Sequence, residues 1–179
     1  FSRWRNAERS TPSLIHSNIP KTPKAQHMSN SMDNPVNNIG KRIVIIGGVA
    51  GGMSAATRLR RLDPDIDIVV LERSGFVSYA NCGLPYYIGG VIADESSLLL
   101  QTPESLDARF ELDVRVKSNV LRINRNAKTV TVESHGEMYD LGYDTLILSP
   151  GAQPVLPPLP GIERAHSLRT VEAVSYTHL

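Results

Sequence analysis

Arg42-Ile43-Val44-Ile45-Ile46-Gly47-Gly48-Val49-Ala50-Gly51-Gly52 is the stretch on which the fold turns. A β-branched run that ends in glycine is expected for a strand buried on both faces of a parallel sheet. Gly51 to Leu62 reads as a helix: Ala55, Ala56, Leu59 and Leu62 share one face at helical spacing, and that face should pack on the sheet. Asp63-Pro64 stops it. Ile66 to Leu71 is a second apolar run, expected as a second buried strand. Strand, turn, helix and strand fit in about 30 residues, the size of a βαβ unit. The fold class is therefore α/β, with a parallel sheet.

The glycines say what the turn is for. Gly47 permits a tight turn off the strand, while Gly51 and Gly52 let the helix start close to the strand and to a ligand pyrophosphate. The helix N-terminus adds free N–H groups and a positive dipole end. Val49 stands at the middle glycine of the G-x-G-x-x-G pattern, so the pattern is imperfect, and Gly48 and Ala50 complete the turn. Glu72 closes the second strand, 25 positions beyond Gly47. A carboxylate there accepts hydrogen bonds from ribose hydroxyls and repels a 2′-phosphate, which disfavours NADP at this site. The competing reading is a packing turn plus a surface glutamate.

Working outward, composition limits the function classes. The chain has 179 residues, 41% of them hydrophobic, and a net charge of +1. That is one domain with a real core and no global pull toward nucleic acid or membrane. No apolar run reaches the length of a transmembrane helix. One cysteine, Cys82, argues against a secreted disulfide scaffold and fits a reducing, cytoplasmic compartment. Residues 1–39 are rich in Ser, Asn and Pro without apolar periodicity, and are expected to be a disordered leader or non-native upstream sequence. Arg3, Arg5 and Arg9 would fit a transit peptide, but Glu8, Pro12, Pro20 and Pro23 oppose one, and Met28 and Met32 are plausible starts. No His, Cys and carboxylate cluster has metal-ligand spacing, and His166 and His178 carry no motif.

After Cys82, Pro103 to Phe110 is expected as a helix with Thr102 as N-cap, and Asp113 to Val116 as a strand. Val120 to Asn124 and Thr129 to Glu133 read as a hairpin, part of a small antiparallel hairpin or meander. Thr145 to Leu148 reads as another buried strand, ending in Ser149-Pro150-Gly151. Pro154, Pro157, Pro158 and Pro160 mark a connection, so residues 40–152 read as a domain and 153–174 as a linker.

Cys82 lies in Ser78-Tyr79-Ala80-Asn81-Cys82-Gly83-Leu84-Pro85-Tyr86-Tyr87. A lone cysteine is ordinarily a small buried hydrophobe. This one stands where a helix is expected to open, which favours a thiolate, the nucleophilic form. With no second cysteine in the chain, its oxidised partner comes from outside, or it is a sulfenic acid.

The turn Gly47–Gly52, the Cys82 segment and Tyr143-Asp144-Thr145-Leu146-Ile147-Leu148-Ser149-Pro150-Gly151-Ala152 together resemble the pyridine nucleotide-disulfide oxidoreductases. The segment around Cys82 is similar to that of the single-cysteine coenzyme A-disulfide reductases and CoA persulfide reductases. The resemblance covers roughly Lys41 to Val174. It implies FAD in the Gly47 turn, with Gly47, Val49, Ala50 and Gly51 on the pyrophosphate. Glu72 would hold the ribose and Arg73 the adenosine side. Val120 would reach the adenine by its backbone, and Ser149, Pro150 and Gly151 would form a second FAD contact. It implies NAD(P)H as electron donor, Cys82 as redox nucleophile and a CoA disulfide or persulfide as substrate. Ser54, Arg58 and Arg61 share one helical face and would lead CoA to the cysteine, with Ser78 and Asn81 beside it; the competing reading is a solvated face. Phe110 stands where some relatives have a basic contact, although Arg109 is adjacent.

Relatives continue into an NAD(P)H domain, a returning flavin segment and a dimerisation domain, so the chain is expected to be an N-terminal piece of a homodimeric enzyme, inactive alone. Ser175-Tyr176-Thr177-His178-Leu179 reads as a non-native tail. Two other readings stay open: an NADH oxidase or peroxidase that cycles Cys82 through sulfenic acid, and a flavin-binding piece with no turnover.

Overall fold

The computed structural model describes residues 41–177; the expectations for residues 1–39 and for 178–179 lie outside them. In chain order they form β1 (Arg42–Ile46), α1 (Ala50–Leu62), β2 (Asp67–Leu71), α2 (Leu84–Ile88), α3 (Pro103–Phe110) and β3 (Asp113–Arg115), then β4 (Ser118–Asn124), β5 (Thr129–Ser134), β6 (Glu137–Gly142), β7 (Thr145–Leu148) and α4 (Val171–Thr177). β1 pairs in parallel with β2 on one side and with β7 on the other. β3 adds outside β2, giving a parallel sheet of order β3-β2-β1-β7. β4, β5 and β6 make a separate antiparallel meander.

Alternation along each strand sends neighbouring side chains to opposite faces. Ile43, Ile45, Ile68 and Val70 meet Met53 and Ala56 of α1 and Leu106 of α3. Val44, Val69 and Leu71 meet Val130, Val132 and Leu141 of the meander. Both faces of β1 and β2 are covered, which is why they read as unbroken apolar runs. β5 has only one core face, so Thr129-Val130-Thr131-Val132 alternates. The architecture is a Rossmann-like α/β unit with a small antiparallel sheet, as expected.

Two details differ from the sequence reading. β7 forms as a strand but is not buried: Leu148 is 60% exposed, because β7 is the edge of the sheet. The core face of α1 begins a turn earlier than expected. Gly52, Met53 and Ala56 are buried, Ala55 and Leu59 are partly so, and Leu62, the last helical residue, is 64% exposed. Of the two expected forms, hairpin or meander, the antiparallel sheet is the meander, with β6 as its third strand.

Thr102 caps α3 as expected, in a reciprocal pair: its Oγ1 accepts from Ser105 N, and Ser105 Oγ accepts from Thr102 N. Arg60, which the sequence reading passed over, ties α1 to the exit of α3. Its guanidinium donates to the carbonyls of Phe110, Glu111 and Pro64 at 2.9, 2.9 and 2.6 Å. Within the stretch expected to connect domains, Val171 and Val174 of α4 are buried against Tyr79, Leu84 and Leu98. Helix α4 continues through Ser175, whose hydroxyl bonds to Glu95 and to the carbonyl of Val171.

Candidate functional site

The site grows from the C-terminal ends of β1 and β2. Gly47 N donates to Leu71 O at 2.8 Å, and Ser149 N donates to Ile46 O at 2.8 Å, so the chain leaves β1 held from both sides. Gly47 has φ +103°, and a Cβ there would fall inside the carbonyl oxygen of Ser149. A Cβ on Gly52 would likewise overlap the carbonyl oxygen of Gly47. Only glycine at both positions lets α1 start directly against the turn. Val49 caps α1 without any side-chain hydrogen bond, and Ser149 Oγ lies beside Gly51 in the first turn. The missing side-chain cap leaves first-turn N–H groups for a ligand anion.

Glu72 is buried at the end of β2. Its Oε2 accepts from Gly48 N at 2.7 Å, and its Oε1 from Ser74 N at 2.9 Å. The side chain that the sequence assigned to a ribose thus first latches the Gly-rich turn. A carboxylate has about four acceptor positions, so two bonds leave capacity for hydroxyl donors. Ser78 is drawn to the same turn through its backbone: its N donates to Gly48 O at 2.9 Å, with φ +48°.

Two clefts flank Glu72 and Arg73. One is lined by Ile46, Gly47, Ser118, Asn119, Val120 and Pro150. The other is lined by Val49, Tyr79, Asn81, Ser149, Gly151 and Arg169, among others. They hold about 160 and 110 Å³, below the roughly 300–1,000 Å³ of complete small-molecule pockets. The structure therefore brings together Gly47, Val49, Glu72, Arg73, Val120, Ser149, Pro150, Gly151 and Asn81 from five separated chain segments. Arg169 was missed by sequence reasoning; its Nε donates to Ala152 O at 2.7 Å, holding it beside Gly151. Tyr79 was missed as well. Its phenol is pushed above the ordinary value by burial, then by the carboxylates of Glu172 and Glu72.

Ser54, Arg58 and Arg61 line neither cleft. All three are exposed along α1, and the two arginines make no hydrogen bond or ion pair among the described residues. Cys82 is exposed and lies in a 3-10 turn, Asn81–Gly83, that runs directly into α2, so the expected helix opens as a 3-10 turn. Helix α2 opens two residues later and is five residues long, because Pro85 fits its first turn and Gly89 ends it. Beneath the turn, a Cβ on Gly83 would come to 2.6 Å from Leu98. The backbone is thus seated on the core while the thiol faces outward. Among the described residues, no helix is long and apolar enough to cross a membrane.

Residues 41–179 match the family model described as pyridine nucleotide-disulphide oxidoreductase. The coenzyme A disulfide reductase of Staphylococcus epidermidis is 40% identical over 138 residues, 76% of this chain and 29% of that protein. The Staphylococcus aureus enzyme of the same name is 43% identical over 113 residues, 62% of this chain and 26% of that one. Among solved structures, a reduced CoADR-RHD of Bacillus anthracis superposes with TM-score 0.74 at 50% identity, over 76% of this chain and 26% of that one. The NAD-dependent persulfide reductase of A. fulgidus gives 0.73 at 35% identity, with the same shares covered. The chain thus spans between a quarter and a third of the length of these relatives. Taken with the glycine turn, the latched Glu72 and the sheet order, the match over 41–179 places this chain in the pyridine nucleotide-disulphide oxidoreductase family.

Proposed function

We propose that this chain carries the FAD-binding part of an NAD(P)H-driven reductase that acts on a CoA disulfide or persulfide through Cys82. The observation that carries the reading is the glycine turn of β1. It has no room for a Cβ at Gly47 or Gly52, is latched by Glu72, and is walled by Ser149 to Gly151. This cradle fits the ADP half of a flavin dinucleotide, with Gly47 to Gly52 on the pyrophosphate, Glu72 and Arg73 on the ribose and adenosine side, and Val120 toward the adenine.

Bound FAD would supply the electron pair, drawn from NAD(P)H, that returns the oxidised cysteine to thiol. The chain's own part is nucleophilic. The exposed Cys82 thiolate attacks one sulfur of the disulfide, forming a mixed disulfide with one CoA and releasing the other as its thiolate. Asn81 links this turn to the cleft at Glu72, so cysteine and cradle belong to one site. Ser54, Arg58 and Arg61 on the open face of α1 offer two unpaired guanidiniums to CoA phosphates, with Ser78 nearer the turn. The assembled enzyme is read as a cytoplasmic homodimer with this small-molecule substrate.

A second reading, an NADH oxidase or peroxidase, is favoured by the 32% identity to the water-forming NADH oxidase of Lactobacillus brevis, at TM-score 0.64: a peroxide would then oxidise the Cys82 thiolate to sulfenic acid, its other oxygen leaving as hydroxide, and electrons from NAD(P)H would return it to thiol with release of water. The experiment is a Cys82→Ser variant of the full-length enzyme, assayed for NADH and NADPH consumption with CoA disulfide or with peroxide. Loss of CoA-disulfide turnover with FAD retained is expected. Undiminished CoA-disulfide turnover would overturn the assignment, and turnover of peroxide alone by the wild type would favour the oxidase or peroxidase reading.

A further inference from the structure

Tyr79 is 8% exposed, yet it lines the cleft between Glu72 and Arg169. Its ring is locked in the apolar cluster of Leu84, Leu98, Val171 and Val174. Its backbone is fixed by the bridge to Leu99. Its hydroxyl makes no hydrogen bond among the described residues, and no side-chain oxygen or nitrogen there is both fully buried and unpartnered. The phenolic oxygen therefore opens into the cleft.

The neighbours decide what meets it. The charged groups that act on the phenol are Glu72 and Arg73 at the end of β2, and Arg169 and Glu172 around the start of α4. Glu72 accepts one backbone N–H on each oxygen, from Gly48 and Ser74, and Glu172 Oε1 accepts from Gly75 N at 3.1 Å. Each carboxylate is thus partly engaged by the backbone and keeps fewer acceptor positions than the two guanidiniums have free N–H groups. Arg73 and all of Arg169 beyond its one bond to Ala152 stay available as donors. Burial and the two carboxylates keep the phenol protonated, so it too is a donor. Donors in surplus over acceptors, at the mouth of a helix N-terminus, call for an anion.

We infer that Tyr79 is a ligand-binding residue whose hydroxyl donates to a phosphate oxygen of the bound dinucleotide, with Arg169 beside it. The inference rests on the dinucleotide reading of the Gly47 turn. Nothing in the sequence motif asks for it: the glycine turn alone would use backbone N–H groups, whereas this arrangement adds a side-chain donor from the cysteine-bearing segment.

The test is equilibrium binding of ADP and of adenosine to the wild-type chain and to Tyr79→Phe. The variant keeps the ring in its cluster and removes only a hydroxyl without a protein partner. A donor to a charged acceptor lost in this way should weaken ADP about tenfold or more while leaving adenosine unchanged. Equal ADP affinity in the two proteins overturns the inference, and so does an equal loss for ADP and adenosine. A wild type that binds neither ADP nor FAD overturns the dinucleotide reading itself, and this inference with it. In wild-type protein carbon-13-labelled at tyrosine Cζ, ADP should move the signal of one of the six tyrosines; no movement counts against the proposal.

Discussion

Replacing Gly47 by alanine adds one methyl group, and the structure says where it goes. At φ +103° an L-residue is strained, and the new Cβ falls inside the carbonyl oxygen of Ser149. The conformational strain is worth about 1–3 kcal/mol. Relieving the overlap means moving Ser149 away, which breaks its N–H bond to Ile46 and costs about 1 kcal/mol more. A loss of about 3 kcal/mol is a large share of the roughly 5–15 kcal/mol that holds a domain together, but it leaves a folded protein to measure. The internal control is Gly151→Ala. Gly151 also has positive φ, +74°, but a Cβ there meets nothing within 4 Å, so only the conformational cost of about 1 kcal/mol remains. With a urea dependence of about 2 kcal/mol per molar, the unfolding midpoint should fall by about 1.5 M for Gly47→Ala and about 0.5 M for Gly151→Ala. Equal shifts in the two variants would show that the turn is not closed by Ser149, and the argument for the cradle would fall with it.

Glu72→Gln should destabilise by about 1–3 kcal/mol in thermal or urea unfolding, although it is isosteric. Both oxygens accept backbone N–H groups, so an amide must point its NH₂ at one of them; an unchanged midpoint would contradict that geometry. Arg60→Ala should cost about 1–3 kcal/mol by freeing three carbonyls, while Arg58→Ala, one turn-face away, should leave the urea midpoint unmoved. In the full-length enzyme, removing the charges of Arg58 and Arg61 should raise KM for CoA disulfide at low salt and much less at high salt. The same loss with a small disulfide lacking phosphates would exclude a role in CoA recognition.

The fold was legible where one residue pattern answered to one physical cause. β1 and β2 are covered on both faces, so their apolar runs had one meaning, and Thr102-Pro103 could only open a helix. The edge position of β7 was not legible: Thr145 to Leu148 has the same apolar texture as β1, and what makes it exposed is the strand order, a long-range property. Leu62 failed for a related reason, since helical spacing gives a face but not where along the helix the face stops being covered. At the site, Gly47 and Glu72 were legible because their spacing is built into the βαβ unit. Tyr79 and Arg169 were not, because 90 residues separate them: Tyr79 sits in the Cys82 segment, but nothing local there points to the cleft, and Arg169 belongs to no local pattern. Cys82 stood out by its uniqueness, but the 3-10 turn that carries it gives no sequence signal distinct from a helix start.

The wall that Ser149 builds against Gly47 also has a consequence in time. β1 is finished at residue 46, yet its second neighbour and the floor of its glycine turn come 100 residues later. A ribosome adding about 5–20 residues per second delivers Ser149 roughly 5–20 s after Gly47. During that interval the nascent chain holds the whole glycine-rich sequence beside a strand with one edge open, the arrangement that pairs with other chains most readily. Conformational closure of the turn waits for β7, so the cradle is completed only after the stretch between its motif and Ser149 has been made.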